Sequence, residues 1–444
     1  MNRTSPSVAA QGAQEGQALV LGMLIAGVAI IVFVRYFLVG QVVAAKARQV
    51  HALDAVAYSG ALIQARALNM LAYTNRAHVG HQVAMAHLVT LGSWASMGGT
   101  QSRQLSRGDP PPHLISMMFG EHHGAAYRAA SKAAGLDQLA GTHAELARAY
   151  ASHDHVVHDV LASVQEAIVS TLPAVRLAAM QAVLARNYVD HPQAGAFQLS
   201  VDYDHWPGYV QRYSPQRDLH AFTAKVAQRY GFLADRNHTE VNAWLVDGQC
   251  PAARHQLRRR GTTEFDAYGR WQSTDTQSFH ALRSNRWIGC YFREYAMGWG
   301  WIPSPLSPRL PGAHVDDPPA DFSAQDFWRW VQESTDWDIF TGSDNPLANS
   351  RAAASRPQWA GRGLPAYFDT ADDRNHEALG FGLTLQGPGP DGVTVSTHSA
   401  AQTFFVRPQP RRDARLERSN LFHPYWQARL VAHHAKSAFS GNRP

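Results

Sequence analysis

The densest cluster of chemically capable side chains is SHDHVVHD, residues 152–159. On a helix His155 and His158 share a face, as do Asp154 with His158 and His155 with Asp159. Two imidazoles at i, i+3 beside a carboxylate could supply part of a site for Zn²⁺ or a similar ion. His153 extends the cluster. A third ligand would have to come from another helix, and His78, His81 and His87 could provide it. In a chain with 23 histidines the octet also reads as a solvated helix face. The expectation is no resident metal and no cofactor, with His155 and His158 the candidates should an ion be held. The pairs Asp316–Asp317 and Asp372–Asp373 read as loop solvation. No G-x-S-x-G, H-E-x-x-H, Walker A or G-x-G-x-x-G pattern occurs, so no catalytic residue is assigned and the chain is not expected to be an enzyme.

The elements that must carry these residues begin with GQALVLGMLIAGVAIIVFVRYFLVG, residues 16–40. From Ala18 to Val34 there is no charge. About 20 apolar residues at 1.5 Å rise cross the roughly 30 Å hydrocarbon core of a bilayer. Arg35 can snorkel to the headgroups, and Tyr36 and Phe37 suit the interface. The run is longer than a secretory signal core, and no clear A-x-A cleavage site follows it. A transmembrane helix that continues into water is expected.

An α+β chain follows from the rest. Residues 1–15 read as a polar, disordered tail, 16–40 as the transmembrane helix and 41–190 as a helical stalk or bundle. Residues 191–410 read as a strand-containing, aromatic-rich domain and 411–444 as a C-terminal tail segment. The first long helix carries Leu68, Leu71, Val79, Val83, Ala86 and Val89 near a three-four spacing. Gly98 and Gly99 are expected to stop it, and Pro110 to Pro112 mark a loop. Helical pattern returns over 120–188, with Pro173 expected to kink or break it. AFQLSVDYD, GTTEFDAYGRWQS, WIGCYFREY, FGLTLQG, GVTVSTHS and QTFFVRP alternate like strands. A proline-rich loop spans 303–322, and QDFWRWVQ reads as a short amphipathic segment.

Composition narrows the partners. The 444 residues carry 40 Lys+Arg against 35 Asp+Glu, a net +5. That excess is small and dispersed, with no basic stripe interleaved with aromatics, so nucleic acid is not an expected partner. Cys250 and Cys290 are the two cysteines. In an oxidising compartment they would pair; two buried free thiols are the alternative, and without a CxxC they make no Cys-rich metal site.

Three stretches, QEGQALVLGMLIAGVAIIVFV, DAVAYSGALIQARALNMLAYTNRAHVGHQVA and SNLFHPYWQARL, resemble the TadE/TadG-like proteins of the tight-adherence (Flp, type IVb) pilus-assembly group. The polar residues Asn69, Tyr73, Asn75 and Arg76 inside an alanine-rich helix carry the most specific part. The resemblance implies a single-pass inner-membrane protein with a cytoplasmic amino terminus and a periplasmic bulk. It implies other pilus-assembly or secretion components as partners, and the first helix offers a surface for oligomerisation. The charges alone, with Arg35, Lys46 and Arg48 behind the span, would orient it the other way. Long domains translocate largely regardless of charge, so the implied orientation is preferred. A periplasmic bulk also favours pairing of Cys250 with Cys290.

Pilin-like members are cut after a glycine and carry Glu at the fifth mature residue. Gly16 and Gln17 match the cleavage, but the fifth residue would be Leu21. An anchored accessory or minor subunit is therefore expected rather than a major pilin. A membrane-tethered periplasmic enzyme or metal-binding protein using His153, His155 and His158 is the alternative. A ligand sensor is disfavoured, because the residues ahead of the span are too few for an effector domain.

Overall fold

The computed structural model describes residues 15–108, 110–191, 194–212, 215–303, 364, 370–371, 378–410, 412 and 415–433. Helix α1 runs without interruption over Glu15–Arg107. Then come α2 (Pro112–Phe119), α3 (Glu121–Ala129), α4 (Glu145–His155), a π-turn (Val156–Leu161) and α5 (Ala162–Asn187). Strand β1 (Gln198–Asp204), α6 (Trp206–Arg212) and α7 (Pro215–Ala227) follow. Strands β2 (His238–Val241), β3 (Gln256–Phe265), β4 (Trp271–Asn285) and β5 (Gly289–Ile302) come next. The last elements are β6 (Thr370–Ala371), β7 (Ala378–Pro388), β8 (Thr394–Phe405), β9 (Leu416–Glu417) and β10 (Trp426–Val431). The chain is a mixed helix-and-sheet protein with a long apolar amino-terminal helix and a strand-rich carboxyl-terminal region.

Two four-stranded antiparallel sheets hold most of the strands, in the orders β1-β7-β8-β10 and β2-β3-β4-β5. Both pack on α1. Leu53, Val56, Ala57 and Ala61 of α1 share a core with Met180 and Leu184 of α5 and with Phe381, Leu383 and Ala401 of the first sheet. Further along, Met85, Ala86 and Val89 pack with Val157 and with Trp271 of the second sheet. Helical stalk and strands are thus joined by common cores.

A polar stripe on α1 fixes this packing. Gln64, Asn75, Gln82, Ser93 and Thr100 follow at alternating steps of eleven and seven residues. At about 3.6 residues per turn these steps are close to three and two turns, so the five lie on one face. All five are buried. Gln64 Nε2 donates to Leu379 O at 3.2 Å and to Thr403 Oγ1 at 2.8 Å. Asn75 Nδ2 donates to Leu421 O at 2.7 Å, and Trp271 Nε1 donates to Gln82 Oε1 at 2.8 Å. Ser93 Oγ donates to Asp275 Oδ2 at 2.7 Å. Thr100 Oγ1 donates to Trp299 O and accepts from Trp299 N, each at 2.7 Å.

Several boundaries differ from the sequence expectation. Gly98 and Gly99 do not stop α1. They let the segment after α3 approach the helix: a Cβ on Gly99 would lie 2.5 Å from Asp137 Cγ, and one on Gly98 3.0 Å from Ala133 Cβ. Tertiary packing here outweighs the roughly 1 kcal/mol helix penalty of each glycine. Pro173 does not end α5. It is exposed, so water can serve the carbonyl it leaves unpaired. GVTVSTHS and QTFFVRP form one strand, β8, rather than two. Residues 426–431, expected within a tail, form β10 and pair with β8. The other four strand stretches match β1, the β3–β4 hairpin, β5 and β7. The proline-rich loop, QDFWRWVQ, Asp316–Asp317 and Asp372–Asp373 lie outside the described residues, apart from Pro303.

A close backbone approach lies where β5 crosses α1. A Cβ on Gly300 would sit 2.0 Å from Ser93 O and 2.7 Å from Met97 N, both backbone atoms that cannot swing aside. Gly300→Ala is therefore expected to destabilise the fold by about 3 kcal/mol. Thermal unfolding of the detergent-solubilised chain checks this; an unchanged melting temperature would refute the packing.

Candidate functional site

The first functional feature is the exposed arm of α1. From Ala18 to Arg48 no side chain is buried; Gln49 is the first that is, 2% exposed. Leu19, Ile25, Ile31, Phe33 and Phe37 are each more than 60% exposed. The apolar stretch from Ala18 to Val39 measures about 33 Å at 1.5 Å per residue, against a core of about 30 Å. Among the described residues none covers the window that qualifies this helix as a candidate membrane span. A signal sequence meets the same description of length and composition. Gly16 and Gln17 lie in the first turn of α1, and Leu21 is exposed two turns of arm before the apolar centre. Residues 136–187 also contain an apolar window, but there Leu172, Met180 and Leu184 are packed in the body.

The second feature is a cavity of about 1000 Å³ between α1, the π-turn, α5, α6, α7 and the β3–β4 hairpin. His78, His158, His220, Gln82, Glu166 and Tyr268 are among its lining residues. The π-turn starts inside SHDHVVHD, and such wide turns often sit at functional positions. His158 lines the cavity, its ring 6.4 Å from His78, while His155 is exposed and pairs with Asp159 at 2.6 Å. His153 Nδ1 lies 2.8 Å from His81 Nδ1. His158 Nε2 lies 3.7 Å from Asp154, so both expected i, i+4 pairs form, but His155 and His158 share no partner. Among the described residues no three metal-donor atoms converge here.

Electrostatics set the cavity's chemistry. Burial, with His158 and His81 nearby, lowers His78 to about 4. His78 is neutral at pH 7 and available to accept a hydrogen bond. His220 Nε2 is 2.7 Å from Asp266 O, and its ring stacks on Phe265. Burial pushes the Tyr150 hydroxyl up, so it stays protonated. Deeper, Asp275 is fully buried and bonded by Arg236 through Nε at 2.8 Å and Nη2 at 2.9 Å. Burial raises the Asp275 carboxyl despite the opposing Arg236 and Ser93 contacts. Of these groups His78 and His220 line the cavity, where they can bind and orient; Tyr150 and Asp275 do not line it.

The third feature joins two of the stretches singled out in the sequence. Asn69 Nδ2 donates to Trp426 O at 3.0 Å, and Trp426 N donates to Asn69 Oδ1 at 2.9 Å. Asn75 holds Leu421 O. Asn420 organises the rest: its Oδ1 accepts from Phe422 N and His423 N, and its O accepts from Trp426 Nε1. Buried Glu417 pairs with Arg407 at 3.0 Å and His423 at 2.6 Å. Tyr73 is exposed. Cys250 and Cys290 form a disulfide, closing the β2–β3 connection onto the start of β5. The cavity, the π-turn and the hydrogen bonds of Asn420 were not anticipated; the Asn69–Asn75 pattern and the SNLFHPYWQARL stretch signalled the third feature.

No family model, curated protein or solved structure matches this chain.

The His78 shift fixes a pH dependence. The unfolded chain takes up a proton near pH 6.5, before the folded one does, so the stability from this site is full above about 6.5 and is lost as pH falls towards about 4. The expected loss is up to about 3 kcal/mol, and His78→Gln should flatten the curve over that window. Urea unfolding across a pH series checks it; identical slopes in both proteins would refute the assignment.

Proposed function

We propose that the chain is a membrane-anchored accessory or minor pilin-like component of tight-adherence (Flp/type IVb) pilus assembly, acting structurally from the inner membrane with its bulk in the periplasm. The observation that carries this reading is the bare apolar arm of α1, continuous with the helix on which both sheets are built. Such a helix is a post: one end belongs in lipid and the other positions a head. The head's contribution is surface and rigidity.

Two further observations support it. The two soluble stretches that carry the resemblance dock on each other, Asn69 on Trp426 and Asn75 on Leu421. A shared docking gives a physical reason for both to occur in one chain. The Cys250–Cys290 bridge favours an oxidising compartment for the head, where such bonds persist. With Leu21 in place of Glu, the arm lacks the carboxylate that would offset a neighbour's terminal amine in a fibre, where an unpaired charge is costly. A permanent anchor follows.

Intact mass and amino-terminal sequence of the protein from carbonate-washed native membranes test this. A chain beginning near Met1 and retained in the membrane is the expected result. A start at Gln17 would shift the role to a processed minor pilin. A start beyond residue 40, or release by carbonate, would overturn the anchored reading. Co-purification of pilus secretion components with the cross-linked protein is expected, and its absence would overturn the assembly role.

A further inference from the structure

Three donors distant in sequence meet on the first sheet. Asp202 is on β1, His398 on β8, and His433 lies just beyond β10. Their ligand atoms all lie within 4.8 Å of one another. Among the described residues this is the one place where three such donors converge.

The backbone is shaped to allow it. The β1–β7 register passes from Val201↔Leu383 directly to Tyr203↔Gly382, so Asp202 is the extra residue of a β-bulge. A bulge re-aims a side chain that regular alternation would place elsewhere. Here it brings Asp202 to Thr384, which stands opposite His398 in the β7–β8 register. At Gly382 a Cβ would lie 2.4 Å from Tyr203 Cε1 and 3.1 Å from His433 Nε2. A larger residue would close the space that His433 enters.

Hydrogen bonds orient the donors. Thr384 Oγ1 donates to Asp202 Oδ2 at 2.7 Å, which uses its one proton. The same oxygen is 2.8 Å from His398 Nδ1 and must accept from it. His398 Nδ1 therefore carries hydrogen, and Nε2 keeps the lone pair. A ring nitrogen fixed through its partner nitrogen is the usual support of a metal-bound histidine. His433 Nε2 lies 3.0 Å from Asp202 Oδ2, and the His398 and His433 rings are 5.1 Å apart.

We propose that Asp202, His398 and His433 bind one divalent transition-metal cation, of which Zn²⁺ is the best fit, with water completing the coordination. Two imidazoles and a carboxylate suit zinc, and three protein ligands leave a position open. Binding replaces the His433 Nε2–Asp202 hydrogen bond with two bonds to the ion, the His433 ring carrying its hydrogen on Nδ1. The site ties β1, one edge strand of the sheet, to the segment that leaves β10, the other edge strand. The ion is thus a clasp on the carboxyl-terminal segment that α1 holds from its other side.

The test uses the full-length, detergent-solubilised protein without a histidine tag, stripped by chelator and titrated with Zn²⁺ against a chromophoric competitor. One equivalent is expected, with a rise in melting temperature. His398→Ala and Asp202→Asn should each weaken that equivalent by at least tenfold and remove the thermal shift, while His155→Ala keeps both. The Co²⁺ form of the unaltered protein should show visible bands of a nitrogen–oxygen site, a readout that needs no variant to fold. No bound equivalent, an equivalent that survives His398→Ala, or a featureless Co²⁺ spectrum would overturn the proposal.

Discussion

The structure depends on the buried polar stripe of α1. An alanine-rich helix has little shape with which to choose between alternative sheet positions. Five polar side chains on one face remove that freedom, because each must find a partner once it is buried. A buried polar group left unpaired costs about 1–3 kcal/mol, so a shift of one turn would be resisted at several places together. Gln64 fixes the first sheet, Asn75 the 421 segment, and Ser93 and Thr100 the second sheet. Satisfied networks of this kind specify one arrangement more than they add stability.

The same helix carries this arrangement out of the body. Since α1 is unbroken from Glu15 to Arg107, the direction of the apolar arm is set by the packing of the two sheets. The body is thereby held in a fixed direction relative to the arm. The carboxyl-terminal segment is gripped by Asn69 and Asn75 on one side and paired with β8 on the other, so the last described strand is also part of the post.

What the sequence disclosed follows from what is local. The apolar arm and the strands β1, β3, β4, β5 and β7 were legible because hydropathy and alternation are local signals. The end of α1 was misplaced because Gly98 and Gly99 serve a contact with Ala133 and Asp137 that lies some thirty-five residues away. The two i, i+4 pairs of the histidine cluster were legible because they too are local, while the π-turn that begins at Val156 cannot be seen in composition. Strand β10 was missed because its partner β8 is needed to define it. Asp202, His398 and His433 carry no spacing pattern at all; a bulge and two edge strands bring them together. Of the polar stripe only Asn75 stood out in the sequence; the eleven-and-seven rhythm becomes meaningful only with its partners.

The central claim is that the apolar arm and the helix on which the body is built are one rigid α1. Spin labels placed at the exposed positions Phe37 and Tyr73, in protein reconstituted into nanodiscs, measure it most directly by dipolar distance spectroscopy. An unbroken α1 gives a single narrow distribution centred near 54 Å, at about 1.5 Å per residue. A broad distribution, or a shorter principal distance, would show a hinge between membrane and head and contradict the account.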